Sequence, residues 1–445
     1  MSVMTITDIR IMDPASGRDE IGHVVIEDGV IVALGDVSVR GQIMDGHRLT
    51  CAPGLIDARV KAGEPGQENL ETLASASRAA LAGGVTQIVV QPQTVPIIDD
   101  LSLVDFILRK GDALPIDVHV AGALTKGLDG KTMTEIGLMS DAGAVLFASG
   151  PEPIEDAQIM RRLMAYSATF NALISNSPVT PALSRGTCAH ESDVSARLGL
   201  PSAPAISERI MAERDMALAE LTGGRLLLDL ISSAETVESV RRAKERDIDV
   251  SASVSINHLA LNELDIGDYR TFAKLDPPLR EERDRQALLR GVEDGTIDII
   301  VSDHDPQSAG GKRLPYAEAA NGAVGLELML PVGLKLAADD EIDLMAYLRA
   351  VTVAPAELLG LKGGRLAVGA AADIVVVRFG EKYKQWNAAF DAGYAAALGK
   401  SVIVMHGADH QHALKEVDAA ALAVVQEPKQ VVEILAYILN GQLPS

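Results

Sequence analysis

The run Ser302-Asp303-His304-Asp305 places two carboxylates and an imidazole within four residues, directly after the apolar segment 297–301. Such groups can relay protons or ligate a metal ion. A hydrolytic metal centre needs at least three neutral imidazoles or carboxylates converging on one ion, with a position open for water. Nine histidines are available. His119 falls inside a strand pattern, His190 in a long loop and His258 after a strand beside Asn257, so only His304 stands directly at a strand end. Asp303 alone reads either as a hydrogen-bonded strand-end carboxylate or as a base, and His304 as structural. His406, His410 and His412 form the densest histidine group. The His410-Gln411-His412 spacing would put two rings on one face of a strand, but the segment lies outside the expected barrel and a surface turn is the expected reading. Two cysteines, Cys51 and Cys188, provide neither a disulfide framework nor a four-thiolate zinc site.

These groups need a frame that brings distant positions together. Apolar runs at 55–60, 87–90, 118–121, 144–147, 172–175, 226–231, 250–254 and 297–301 have strand length, and longer stretches of helical spacing separate them. One helix pattern covers 70–81 and ends at Gly83-Gly84. Another covers 208–221, with Ser207 as its expected cap and Gly223-Gly224 as its stop. Eight strands alternating with helices predict an α/β fold, a closed (β/α)8 barrel. An open doubly wound sheet is the alternative, but no strand is followed by a G-x-G-x-x-G turn. The first fifty residues read as short strands, with 24–27 and 30–34 joined at Asp28-Gly29, and β signals return at Arg365-Leu366-Ala367-Val368 and 374–377. The expected organisation is a barrel over 53–362 beside a small β-sandwich built from 1–52 and 363–415, with a helical tail over 416–445. In that tail Val431, Val432, Ile434, Leu435, Ile438 and Leu439 share a broad apolar face ending at Gly441, suited to packing on its own chain or on another subunit.

In such barrels the chemistry gathers at the carboxyl ends of the strands. There the first strand runs through Arg59 to Lys61, the fourth into Gly150, the fifth into Ser175-Asn176-Ser177, the sixth into Leu230-Ile231-Ser232 and the eighth into Asp303.

The 445 residues carry 62 Asp and Glu against 40 Lys and Arg, a formal charge of −22. That balance repels nucleic-acid phosphate and anionic lipid, so neither is an expected partner. The N-terminus shows no basic lead or apolar block, and the uncharged stretch 163–184 is broken by serines, asparagines and prolines, so a cytoplasmic protein is expected.

Several ordered motifs now bear on the frame: Pro53-Gly54-Leu55-Ile56-Asp57, Glu64-Pro65-Gly66, Pro92-Gln93-Thr94-Val95-Pro96, Thr125-Lys126-Gly127-Leu128, Val194-Ser195-Ala196-Arg197-Leu198-Gly199 and Pro277-Pro278-Leu279-Arg280. With Gly325-Leu326-Glu327 and the stretch from Gly369 to Val375, they resemble dihydroorotases of the amidohydrolase superfamily from about Ile9 to Phe379. The resemblance implies a barrel that opens or closes a cyclic amide with zinc held by a His-x-His after the first strand, by histidines after strands five and six, and by aspartates. Here Arg59 and Lys61 stand at the His-x-His, Ser175 and Leu230 at the two later histidines, and Gly150 at the aspartate some members carry after strand four. Asp303 alone of that set remains. The family's substrate positions are also altered, to Gly63, Gln93 and Asp276, removing the guanidinium that would grip an anionic substrate.

Two cations at the ligand positions would repel zinc, since Arg keeps its proton and Lys keeps its own unless strongly desolvated. The expectation is therefore loss of zinc, no cofactor and no catalysis, with Arg59 and Lys61 filling the ion's volume and pairing with Asp303. The resemblance further implies a noncatalytic subunit of pyrimidine biosynthesis that supports the catalytic chain of aspartate transcarbamoylase in a homo- or hetero-oligomer. Two alternatives stand beside it: a divergent hydrolase of dihydroorotate or another cyclic amide, and a ligand-sensing or storage role for the altered pocket.

Overall fold

The computed structural model describes residues 3–378 together with the short strands 403–405 and 423–425. Its contacts divide the chain into two compact units, Met1–Val377 and Arg378–Ser445. The parting falls inside the span 363–415 assigned above to the second sandwich segment. His406, His410, His412 and the apolar tail 428–440 lie outside the described residues.

The first unit opens with alternating strands β1 (Val3–Asp13), β2 (Arg18–Glu27), β3 (Val30–Gly35), β4 (Gln42–Asp45) and β5 (Leu49–Pro53). Asp28 and Gly29 both take positive φ, 47° and 78°, forming the tight β2–β3 turn that the Asp-Gly pair predicts. The barrel follows as β6 (Leu55–Val60), β7 (Val85–Val90), β8 (Asp117–Ala123), β9 (Ala144–Ala148) and β10 (Leu173–Asn176). A short side pair, β11 (Ala189–His190) and β12 (Ser202–Ala203), interrupts it before β13 (Arg225–Leu228), β14 (Val250–Ser255) and β15 (Ile299–Val301). These eight barrel strands are parallel neighbours in chain order. Among the described residues, the backbone link from the last strand to the first is an isolated Val60–His304 bridge with the Lys61 N–H bonded to the His304 carbonyl at 2.9 Å. The expected (β/α)8 barrel is thus present and nearly closed. Every residue of β6 is buried, as a parallel strand covered on both faces must be. Inside, Ala58, Val89, Ala121, Leu146, Leu173, Leu227, Leu230 and Ile299 fill the barrel.

Strand β16 (Ile374–Arg378) joins β5 in the order β16-β5-β1-β2-β3, with β4 paired to β1, so one six-stranded sheet draws on both parts of the chain. The Ile31 N–H bonds the Ala370 carbonyl at 2.9 Å, curling that sheet towards closure around Ile6, Ile9, Val24, Ile31 and Leu366. In the second unit, β17 (Ile403–Met405) and β18 (Ala423–Val425) pair in parallel.

Several expectations need correction. The first helix spans Leu73–Ala82 rather than starting at residue 70, because the Thr72 hydroxyl accepts from the Ser75 N–H and Ser75 returns the bond, a capping box that fixes the first turn. Ser207 is not a cap. It lies within Ile206–Thr222, where its carbonyl accepts from Thr180, while the left-handed Gly223 ends the helix as expected. Arg365 to Val368 is no strand; the Leu366 N–H instead bonds the buried Asp13 carboxylate at 3.1 Å. The sixth barrel strand stops at Leu228, three residues early, since Leu230 adopts φ 58°. His190 sits in β11, not in a loop. No helix among the described residues is long and apolar enough to cross a membrane.

Candidate functional site

The tips of β6, β13 and β15 converge on a buried ion cluster. Alternation along β6 points Arg59 and Lys61 to the same side, and the β6–β15 seam sets them beside Asp303 and Asp305. Arg59 Nη1 donates to Asp303 Oδ1, and its Nε donates to Asp229 Oδ2 at 2.7 Å. Lys61 Nζ donates to Asp305 Oδ2 at 2.6 Å. The expected pairing with Asp303 therefore holds for Arg59 but not for Lys61, which reaches the next carboxylate on the same face. Asp229, absent from the sequence-based set, is held by the Ser253 hydroxyl at 3.0 Å.

One guanidinium thus faces two buried carboxylates. Burial pushes the Asp303 carboxyl up to about 7 and outweighs the opposing pull of Arg59. For Arg59 burial acts to lower the pKa, but Asp229 and Asp303 more than offset it and keep the side chain charged. Beneath this pair, Asp57 Oδ1 accepts from the backbone N–H groups of Arg59 and Ser302, both at 3.1 Å, and burial lifts its carboxyl to about 6. His304 is structural: its Nδ1 accepts from the Gly325 N–H at 3.2 Å, and its Nε2 meets Glu71 Oε2 at 3.2 Å.

The remaining predicted positions add no donor to this cluster. Leu230 is 3 % exposed and packs into the barrel core. Ser175 is buried in β10, and Gly150 has φ 86° with its Cα facing Leu128. At Gly63, φ is 67° and an added Cβ would lie 2.8 Å from the Gln67 and Glu71 carbonyl oxygens, so this backbone leaves no room for the family's arginine. Gln93 keeps a buried Oε1 without a partner. Asp276 is exposed and lines a cavity of about 230 Å³ that also touches Leu230, Glu208, Arg280, Ser177 and Thr187.

Sequence reasoning missed a second buried pair. Arg280 Nη2 meets Glu208 Oε2 at 3.0 Å, and Arg280 Nε donates to the Ser232 hydroxyl at 2.6 Å. The Pro-Pro-Leu-Arg motif pointed to Arg280; nothing local marked Glu208. His190, Glu281 and Asp284 lie close enough together to suggest a cation site. The ring's proton placement argues against one: Arg280 Nη1, a donor only, approaches His190 Nδ1 at 3.3 Å, which leaves the neutral ring's proton on Nε2.

The donor set at the barrel mouth does not suit the zinc that the resemblance implies. A guanidinium and an ammonium have no lone pair to give, Ser175 and Leu230 replace imidazoles, and the Asp303 carboxylate is already bound to Arg59.

In architecture this is a barrel of the amidohydrolase type. It superimposes with TM-score 0.72 on L-hydantoinase from Arthrobacter aurescens at 24% identity, covering 84% of this chain and 86% of that one, a likeness of fold. Sequence comparison goes further. The chain is 37% identical over 369 residues to a dihydroorotase of Desulfotalea psychrophila, covering 83% of this chain and 88% of that protein. It is 35% identical over 377 residues to a dihydroorotase-like protein of Pseudomonas aeruginosa, with 84% and 89% covered. The family profile described as dihydro-orotase-like matches residues 48–236, and one described as nucleoside 2-deoxyribosyltransferase YtoQ matches residues 365–439. The chain belongs to the dihydroorotase-like family of the amidohydrolase superfamily.

Proposed function

We propose that this chain is a noncatalytic dihydroorotase-like subunit of pyrimidine biosynthesis that carries no zinc and supports aspartate transcarbamoylase through its exterior. The observation behind this reading is the Arg59–Asp229–Asp303 cluster with its Lys61–Asp305 neighbour at the metal-ligand positions. Without a Lewis acid there is no hydroxide at neutral pH, and Asp303, bound to a guanidinium, has no activated water to deprotonate. The lost guanidinium at Gly63 weakens recognition of an anionic ring in the same way.

Metal analysis of the purified protein, a dihydroorotase assay and pull-down with an aspartate transcarbamoylase catalytic chain test the proposal together. It expects substoichiometric zinc, no turnover and a stable complex. Stoichiometric zinc with turnover would instead support the divergent hydrolase, which the 37% identity to a protein named dihydroorotase favours.

A separate reading concerns the second unit. The profile match over 365–439 is what supports a nucleoside-binding role there. Calorimetric titration of the full chain with 2′-deoxynucleosides checks it, and absence of heat removes it.

A further inference from the structure

Two stretches at the barrel mouth hold each other through exchanged lysines. One, 261–281, follows β14, and the other, 305–325, follows β15. Lys312 reaches into the earlier stretch, its Nζ donating to the Thr271 carbonyl at 3.0 Å and more loosely to that of Lys274 at 3.4 Å, while a third bond, 2.8 Å, ties it to the Ala320 carbonyl. Lys274 reaches back, its Nζ donating to the carbonyls of Ala317 at 2.9 Å and Ala319 at 2.6 Å. The Thr271 hydroxyl donates to the Lys312 carbonyl at 2.5 Å and the Gly322 N–H to the Lys274 carbonyl at 3.1 Å. Beside this latch Tyr316 packs on Cys188 and Ile266. Both stretches wall the cavity of about 230 Å³, through Leu275 and Asp276 on one side and Asn321 on the other.

Every acceptor of the two ammonium groups is a neutral carbonyl. Lys274 and Lys312 are only 5 % and 7 % exposed, and neither forms an ion pair among the described residues. A charged amine withdrawn from water and given only dipoles holds its proton less firmly than one in solvent. Burial pushes the Lys312 amine down to about 8; Asp305 opposes that shift and the like charge of Lys274 adds to it. The other titratable groups around the latch are Asp305, held by Lys61, and Asp276, Cys188 and Tyr316. Burial raises the Cys188 thiol and the Tyr316 hydroxyl, so both keep their protons where Lys312 releases its own. Set free in water, the Lys312 amine would regain a proton up to about pH 10.4. The fastened state therefore binds fewer protons than the open one, and fastening strengthens as pH rises from about 8 to about 10.4. The neutral amine still has two N–H donors for the carbonyls.

We propose that these two stretches form a lid on the barrel-mouth cavity whose latch is weakest with both ammonium groups charged and tightens when Lys312 gives up its proton. At neutral pH the lid is thus poised to open and to widen the cavity between Asp276 and Asn321. This device goes beyond the proposed function and does not rest on the absence of zinc.

Limited trypsin digestion of the full-length protein at pH 7.5 and 9.5 tests it. Scission of the exposed Arg313–Leu314 bond, in the lid, is followed by mass spectrometry and divided at each pH by the rate on a synthetic peptide spanning the same bond, which cancels the protease's own pH dependence. That ratio follows the open fraction. It is expected to fall roughly tenfold or more between the two pH values. Lys312→Met, which cannot titrate, should show a fall of less than about twofold. Lys312→Arg, permanently charged, should behave alike and serves if Lys312→Met fails to fold. A ratio that is flat or rises in the unaltered protein, a fall retained in Lys312→Met (or in Lys312→Arg, where that variant stands in), or no scission at either pH would overturn the proposal. So would an equal fall at the exposed Arg246–Asp247 bond, which lies outside the lid and would report opening of the whole molecule.

Discussion

At the scale of single residues, Arg59 matters most because, among the described residues, it is the one cation touching two buried carboxylates. Removing one partner of a buried ion pair costs about 3–5 kcal/mol, since the other is left charged or must take up a proton. Arg59→Met is expected to lose about 3 kcal/mol in urea unfolding at pH 7, the lower end because Asp303 can protonate. Adding Asp229→Asn and Asp303→Asn to that variant should recover most of the loss. Two buried groups also give stability opposing slopes with pH. The folded Asp303 carboxyl, near 7, binds a proton that the unfolded chain releases near 3.9, so this group makes stability fall as pH rises from about 4 to 7. His258 is held neutral to about 4 by burial, chiefly, and by Arg280, whereas the unfolded ring protonates near 6.5; its contribution rises over the same window. Urea midpoints at pH 4.5 and 7 should show Asp303→Asn removing a decline and His258→Asn steepening it.

At the scale of elements, close packing sets the tolerances. The helix Met329–Ala338 meets Leu344–Val351 where Gly333 faces Tyr347, and a Cβ there would lie 2.1 Å from the ring's Cζ. The Tyr347 hydroxyl is tied to the Met329 carbonyl at 2.5 Å, so the ring cannot swing aside freely. Gly333→Ala should therefore cost about 1–3 kcal/mol through overpacking, read as a lower thermal midpoint. The eight barrel strands were legible as apolar runs between helical stretches because burial on both faces leaves a continuous apolar signature. Their tips were less so. Lys61 was matched to the wrong carboxylate although the signal was present: residues on one strand face recur every second position, and both cluster pairs across the seam are 244 residues apart. Asp229 and Glu208 had no such signal, since each is fixed by a partner far away in sequence. The strand expected at Arg365 to Val368 failed because Asp13 captures the Leu366 amide and holds the segment out of the ladder.

At the scale of the molecule, the altered positions form one connected change. Reinstating Arg59→His and Lys61→His together should not yield a stoichiometric zinc protein by metal analysis, because Leu230, Ser175 and Gly150 still supply no ligand and Asp229 and Asp305 lose their cations. Stoichiometric zinc in that double variant would show that two substitutions alone separate this chain from a metal site.

The seam between the first and last barrel strands carries a timing consequence. During translation, β6 leaves the ribosome with one edge bare; Arg59 gains its first carboxylate, Asp229, after 170 residues, but Asp303, and Asp305 for Lys61, follow only 244 residues behind their partners. Nascent chains released before that point would hold an open curved sheet with an unpaired margin, the form most prone to sticking to its own kind. The two salt links thus act as a late clasp, fastening the cylinder only once its final stave is in place.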